Sequence, residues 1–191
     1  NLPNFANEFT RFTCCGNGIH DHCHTDLQSM KMSGNCPMCR AKTPTSDEEK
    51  VKYLRPWVKK KKAWAQAHMG QMYRDGKGVK QSYEMTKRLY EQAAQQGDVW
   101  AMFNLGLMYD DGLGVEQSYE KAIEYYDQAA QLGDANAQYN LGIMYLNGQG
   151  VEADIAKTKE WWTKAAAQGE KNAIKNLKLI NSSTAHKQTN N

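Results

Sequence analysis

The chain has 191 residues, with 24 Lys and Arg against 21 Asp and Glu, for a net charge of +3. That length holds one main domain and a small second module. Mean hydropathy is −0.80 with no long apolar run, which excludes a transmembrane helix, and the near balance of charge excludes a strongly basic nucleic-acid reader.

Residues 1–13 carry no signal-peptide pattern and begin with Asn1 rather than Met, so they read as the remnant of upstream sequence. All five cysteines (Cys14, Cys15, Cys23, Cys36 and Cys39) lie within the first 40 residues. Disulfides therefore do not staple the rest of the chain. An odd, clustered set beside histidines points to metal in a reducing compartment, cytoplasmic or nuclear.

Residues 14–44 form the second predicted element. Cys14, Cys15, His20 and Cys23 are followed by a twelve-residue spacer and then Cys36-Pro-Met-Cys39-Arg40. Thiolate and imidazole ligands on short loops suit tetrahedral Zn²⁺. Two residues between Cys36 and Cys39 make a knuckle in which both sulfurs point at one ion, and His20 with Cys23 repeats that spacing. His22 and His24 flank Cys23, but the spacing favours His20.

This segment resembles the C-terminal part of a RING finger, whose ligands interleave into two structural zinc sites. On that match Cys15 is the third ligand, His20 and Cys23 the fifth and sixth, and Cys36 and Cys39 the seventh and eighth. Asn17 stands at the fourth, and the neighbouring Cys14 is the available substitute, completing a site with Cys15, Cys36 and Cys39. The resemblance implies a first Cys-x-x-Cys pair upstream, where residues 1–13 hold no cysteine. It also implies a module that docks a ubiquitin-conjugating enzyme on an apolar surface near Ile19 and Pro37, with Arg40 helping to hold the ubiquitin thioester. Zinc of this kind contributes about 10–16 kcal/mol to the folding of small domains.

Residues 45–62 read as a helical basic linker. Thr45, Ser46 and Glu49 ahead of Val51 and Leu54 match a capping box, and Pro56 is expected to break or kink the helix. Seven basic residues lie from Lys50 to Lys62, with Lys59, Lys60, Lys61 and Lys62 consecutive. The run reads as a solvated helix face, with a nuclear-import signal or a weak phosphate-binding patch as alternatives.

From residue 63 the chain is a tandem repeat of period 36, since Gly70, Gly106 and Gly142 recur at that interval and so do Ser82, Ser118 and Asp154. The copies span 63–98, 99–134 and 135–170, with a partial fourth at 171–181. Each holds two apolar-periodic segments around a Gly-x-Gly-Val turn, which predicts a helical hairpin. Ser82, Ser118 and Asp154 are placed to cap the second helix. Gly97, Gly133 and Gly169 are placed to end it, and Asp98, Asp134 and Glu170 to open the next. Ala101, Leu105, Met108 and Tyr109 form one stripe, and Gly106 admits close helix approach. Trp64, Trp100, Tyr125, Tyr126, Trp161 and Trp162 are assigned to packing between helices, and His68 to packing rather than ligation. Residues 182–191 are polar and expected to be disordered.

The L-G-x-M-Y, G-x-G-V and K/Q-A-A-x-x-G-D motifs resemble the Sel-1-like repeat, a relative of the tetratricopeptide repeat. The resemblance implies a mainly α fold, an α/α superhelical solenoid preceded by the small zinc segment, whose concave side holds partner proteins without catalysis. Two functions follow. One is a repeat scaffold with a RING-type module, a ubiquitin-ligase-like adaptor with no covalent catalytic residue of its own. The other is a non-enzymatic scaffold with a structural or degenerate zinc knuckle. Neither a membrane nor a nucleic acid is an expected partner, and no Cys/His/Asn or Ser/His/Asp set supports a hydrolase.

Overall fold

The computed structural model describes the backbone of residues 44–188 and the side chains of residues 44–182. Eight helices and no strand occur among the described residues: α1 (Asp47–Lys59), α2 (Ala63–Asp75), α3 (Tyr83–Ala94), α4 (Val99–Asp111), α5 (Tyr119–Gln131), α6 (Ala135–Asn147), α7 (Ile155–Ala167) and α8 (Lys171–Gln188). They divide into two compact units that part between Gln96 and Gly97.

The helix boundaries are written in short polar and glycine residues. Ser46, Ser82, Ser118 and Asp154 each accept a hydrogen bond from the backbone N–H three residues on, at 3.0–3.3 Å. Such a cap satisfies a donor that the helix itself leaves free. Asp98 and Asp134 do the same for Ala101 and Ala137, and Glu170 for Ala173. Helices α2, α4 and α6 end on Gly76, Gly112 and Gly148 at φ near +66° to +68°, a left-handed conformation that a β-carbon resists.

In the unit of residues 44–96, α1 packs on α2 and α2 on α3. Val51 and Leu54 of α1 are buried with Ala65, Met69, Met72 and Leu89, and Trp57, Val58, Trp64 and Tyr73 pack against them. The sequence reading of residues 45–62 as a linker misses how fully α1 belongs to the repeat. Its cap Ser46 lies 36 residues before Ser82, and its core residue Leu54 lies 36 before Tyr90. A β-carbon on Gly78 would collide with the backbone of Asp47 and Glu48; one on Gly150 would collide in the same way with Tyr119 and Glu120. Helix α1 thus packs on α2 in the register of a repeat's second helix.

Two local readings change in detail. The capping box reaches one residue further back, because the Glu49 carboxylate accepts from the N–H and hydroxyl of Thr45, at 2.8 and 3.0 Å. Pro56 does not end α1 where it stands. It removes only its own bond to the Lys52 carbonyl, the residues after it keep their donors, and its own carbonyl accepts from Lys60 at 3.1 Å.

In the unit of residues 97–188, helices α4 to α8 pack each on the next. Leu105, Met108, Leu141, Met144, Tyr126 and Trp162 are almost fully buried. Ala173 of α8 joins Trp162 and Ala165 in one cluster, with Leu177 and Ile180 packed against it. The backbone of α8 stays helical to Gln188, past the boundary at 181 drawn from the sequence. Lys178 stands there in the register of Gly142, so the fourth copy lacks the close-approach position of the others.

Candidate interaction surface

The zinc ligands expected from the sequence, Cys14, Cys15, His20, Cys23, Cys36 and Cys39, and the expected enzyme-docking residues Ile19, Pro37 and Arg40, lie outside the described residues. Among the described residues, no group of three or more His, Cys, Asp or Glu is placed to hold a metal. His68 lies half-buried on α2. No helix of the described residues is long and apolar enough to cross a membrane.

What the described residues do build is a repeated, partly buried apolar pair on the first helices of the second unit, the α6 pair packed in part against the Trp162 cluster. Phe103 and Leu107 on α4 and Tyr139 and Ile143 on α6 are each partly buried. They are 36 residues apart in pairs and one turn apart on each helix, so each pair shares a helix face. Both aromatics are held by a buried ring of the same hairpin: Phe103 lies 5.9 Å from Tyr126 and Tyr139 5.9 Å from Trp162. The Trp162 indole N–H donates to the Tyr139 carbonyl at 3.0 Å. Asn176 donates to the Tyr139 hydroxyl at 3.2 Å. Side chains fixed in this way lose little rotamer freedom on binding.

An acid sits at the edge of this surface. The Tyr126 hydroxyl donates to Asp110 at 3.1 Å. Burial raises the Asp110 carboxyl above its ordinary range, the Tyr126 hydrogen bond opposes that, and Asp111 adds to it. Burial, followed by the Asp110 charge, holds the Tyr126 phenol well above its usual range. Between residues 99 and 134 seven acids face the single cation Lys121. A half-exposed apolar pair beside acids can hold a peptide or protein surface. Nothing in this arrangement is a nucleophile with a base.

Of the aromatics assigned to packing, Tyr126, Trp161 and Trp162 are buried. Trp64, Trp100 and Tyr125 are half-buried, with Tyr125 stacked on Tyr109 at 5.7 Å and Trp64 beside Trp57 at 5.8 Å. The sequence analysis overlooked Phe103, Leu107, Tyr139 and Ile143. Their own 36-residue recurrence was the available signal, since they fall off the stripe of Ala101, Leu105 and Met108.

The Sel1 repeat family model matches residues 65–98, 101–134 and 135–170. Among solved structures, a protective antigen of uropathogenic Escherichia coli strains displaying an SLR fold is similar at 35% identity and TM-score 0.68. The match covers 71% of this chain and 29% of that one. A Sel1 repeat protein from Oxalobacter formigenes is similar at 37% identity and TM-score 0.66, over 70% of this chain and 54% of its own. The chain therefore spans less than two thirds of the length of either. The Helicobacter pylori cysteine rich protein B shares the fold at 21% identity and TM-score 0.53, over 64% of this chain and 93% of its own. No curated protein matches the chain.

Proposed function

Because the chain belongs to the Sel1 repeat family, we propose that it is a protein-interaction scaffold whose hairpins hold a partner protein in the cytoplasm or nucleus. The observation that carries this reading is the repeated half-exposed pair, Phe103 with Leu107 and Tyr139 with Ile143, each braced from behind by a buried ring. The proposal extends to the N-terminal segment as a zinc-binding RING-type module that recruits a ubiquitin-conjugating enzyme, which makes the chain a ubiquitin-ligase-like adaptor. Support for that extension is the donor set of Cys14, Cys15, His20, Cys23, Cys36 and Cys39, whose softness and number suit Zn²⁺. The zinc would be structural. Ile19 and Pro37 would dock the conjugating enzyme, and Arg40 would steady the thioester.

Asn17, at the place of a ligand, favours the second reading, in which the zinc segment is a structural or degenerate knuckle on a non-enzymatic scaffold. Native mass spectrometry of the whole chain, together with discharge of a ubiquitin-loaded conjugating enzyme, separates the two. Two zinc ions and accelerated discharge support the adaptor. One ion without discharge supports the scaffold, and none removes the zinc module. For the repeats, Leu107→Ser with Ile143→Ser is expected to abolish partner capture, with thermal melts run in parallel to separate that loss from the stability lost where Ile143 packs on the Trp162 cluster. Capture that survives both changes refutes the surface.

A further inference from the structure

The corner between α1 and α2 departs from every equivalent corner in the chain. Lys61 and Lys62 stand in the register of Gly97-Asp98, Gly133-Asp134 and Gly169-Glu170. The backbone hydrogen bonds there nonetheless match those of the Gly133 and Gly169 corners. Lys61 N–H donates to Val58 and Lys62 N–H to Trp57, just as Gly133 donates to Ala130 and Asp134 to Ala129, and Gly169 to Ala166 and Glu170 to Ala165. Lys61 is left at φ +54°, the one positive φ outside glycine among the described residues, in a conformation that costs a residue with a β-carbon. Lys62 caps α2 with no side-chain hydrogen bond, and its charge opposes the helix dipole. Two substitutions that disfavour the fold, both to lysine, point to a use for the charge.

The surroundings agree. No acid occurs from Lys50 to Arg74. Lys52, Arg55 and Lys59 share one face of α1, and they are exposed with Lys60, Lys61 and Lys62. None of these six is in an ion pair among the described residues. Trp57 and Trp64 lie half-buried at the same corner, and the Lys60 ammonium sits 4.9 Å from the Trp57 ring centre. Residues 44–96 as a whole carry twelve cations and six acids, a local excess hidden by the chain's near balance.

We propose that this corner is a docking surface for an acidic, Asp- and Glu-rich segment of a partner protein, with Trp57 and Trp64 as its apolar anchor. A receptor that reads lysines in an extended strand is disfavoured, because the run is folded by the three backbone hydrogen bonds at Lys60, Lys61 and Lys62. Five lysines to one arginine is a poor set for bidentate phosphate recognition, whereas half-buried indoles, one with a lysine over its ring, suit a protein interface. The surface lies outside the three matched repeats, so it stands whether or not the repeat face holds its own partner.

The test is fluorescence anisotropy of a labelled polyglutamate peptide against the whole chain at low salt, with thermal melts in parallel. The double variant Lys61→Gly/Lys62→Asp restores the residues of the other corners. It is expected to melt several degrees higher and to bind the peptide roughly tenfold more weakly. The variant Lys80→Glu/Arg88→Glu changes exposed cations elsewhere in the same unit and is expected to leave binding close to wild type. Absence of peptide binding overturns the proposal, as does equal loss in both variants. Tighter binding to an oligouridine or to phosphatidylserine vesicles than to the peptide also overturns it.

Discussion

A β-carbon on Gly106 would stand 2.5 Å from the ring of Tyr126, so the glycine of α4 exists to seat the aromatic of α5. The same relation holds for Gly70 with Tyr90 at 2.8 Å, and for Gly142 with Trp162. Within a helix, alanine is intrinsically better than glycine by about 1 kcal/mol. Overpacking against a ring locked in a core costs about 1–3 kcal/mol, and here the ring cannot retreat because Tyr126 is fully buried. Gly106→Ala is therefore expected to destabilise the chain by up to roughly 2 kcal/mol in urea unfolding. In the background of Tyr126→Leu the same change should become neutral or stabilising. Additive losses in the double variant would show that the two residues are not coupled.

The hairpins were legible because each boundary is a local chemical choice repeated three times: Ser82, Ser118 and Asp154 as caps, and Gly76, Gly112 and Gly148 as left-handed ends. The role of α1 was not, because its residues share the register without sharing the identities. Leu54 replaces an aromatic, Trp57 replaces an alanine, and lysines replace the closing Gly-acid pair. The half-exposed surface was hidden for another reason. Phe103 and Tyr139 are apolar, so pattern alone assigns them to the core, and only packing shows that they are partly rather than fully buried. The metal ligands were named from spacing, in a segment outside the described residues.

Asp110 carries a pH signature with a definite sign. Burial raises its folded pKa above the unfolded value of about 3.9. The folded state then holds its proton more tightly than the unfolded state, and stability falls as pH rises from the unfolded pKa through the folded one. Asp110→Asn keeps an acceptor for the Tyr126 hydroxyl and removes the ionisation. The variant is expected to be more stable than wild type at pH 7, with the difference shrinking as pH is lowered through the raised folded pKa towards the unfolded value of about 3.9. Melts of both proteins from pH 3 to 8 check this, and parallel curves would contradict it.

Metal removal should leave the helices alone. All five cysteines precede residue 40, and the described cores are built of Leu, Met, Ala and aromatic side chains. A strong chelator with reductant is expected to leave the helical circular dichroism and the main melting transition unchanged, even where mass spectrometry shows bound zinc released. A drop in helicity on chelation would mean that the N-terminal segment supports the repeats.

Leu54 decides whether α1 is a linker or a packed part of the repeat unit. A residue on a solvated linker helix tolerates truncation within about 0.5 kcal/mol. A leucine that is only 6% exposed and packed in a cluster with Val51, Met69 and Leu89 loses transfer free energy and leaves a cavity. Leu54→Ala is therefore expected to cost about 2–5 kcal/mol. The loss should fall on the unit of residues 44–96, since the Leu54 neighbours all lie there. Hydrogen exchange is the suitable readout: amides of α1, α2 and α3 should lose protection together while those of α6 and α7 keep theirs. Loss confined to α1 would return it to the status of a linker, and the register it shares with Ser82 and Tyr90 would then have no packing consequence.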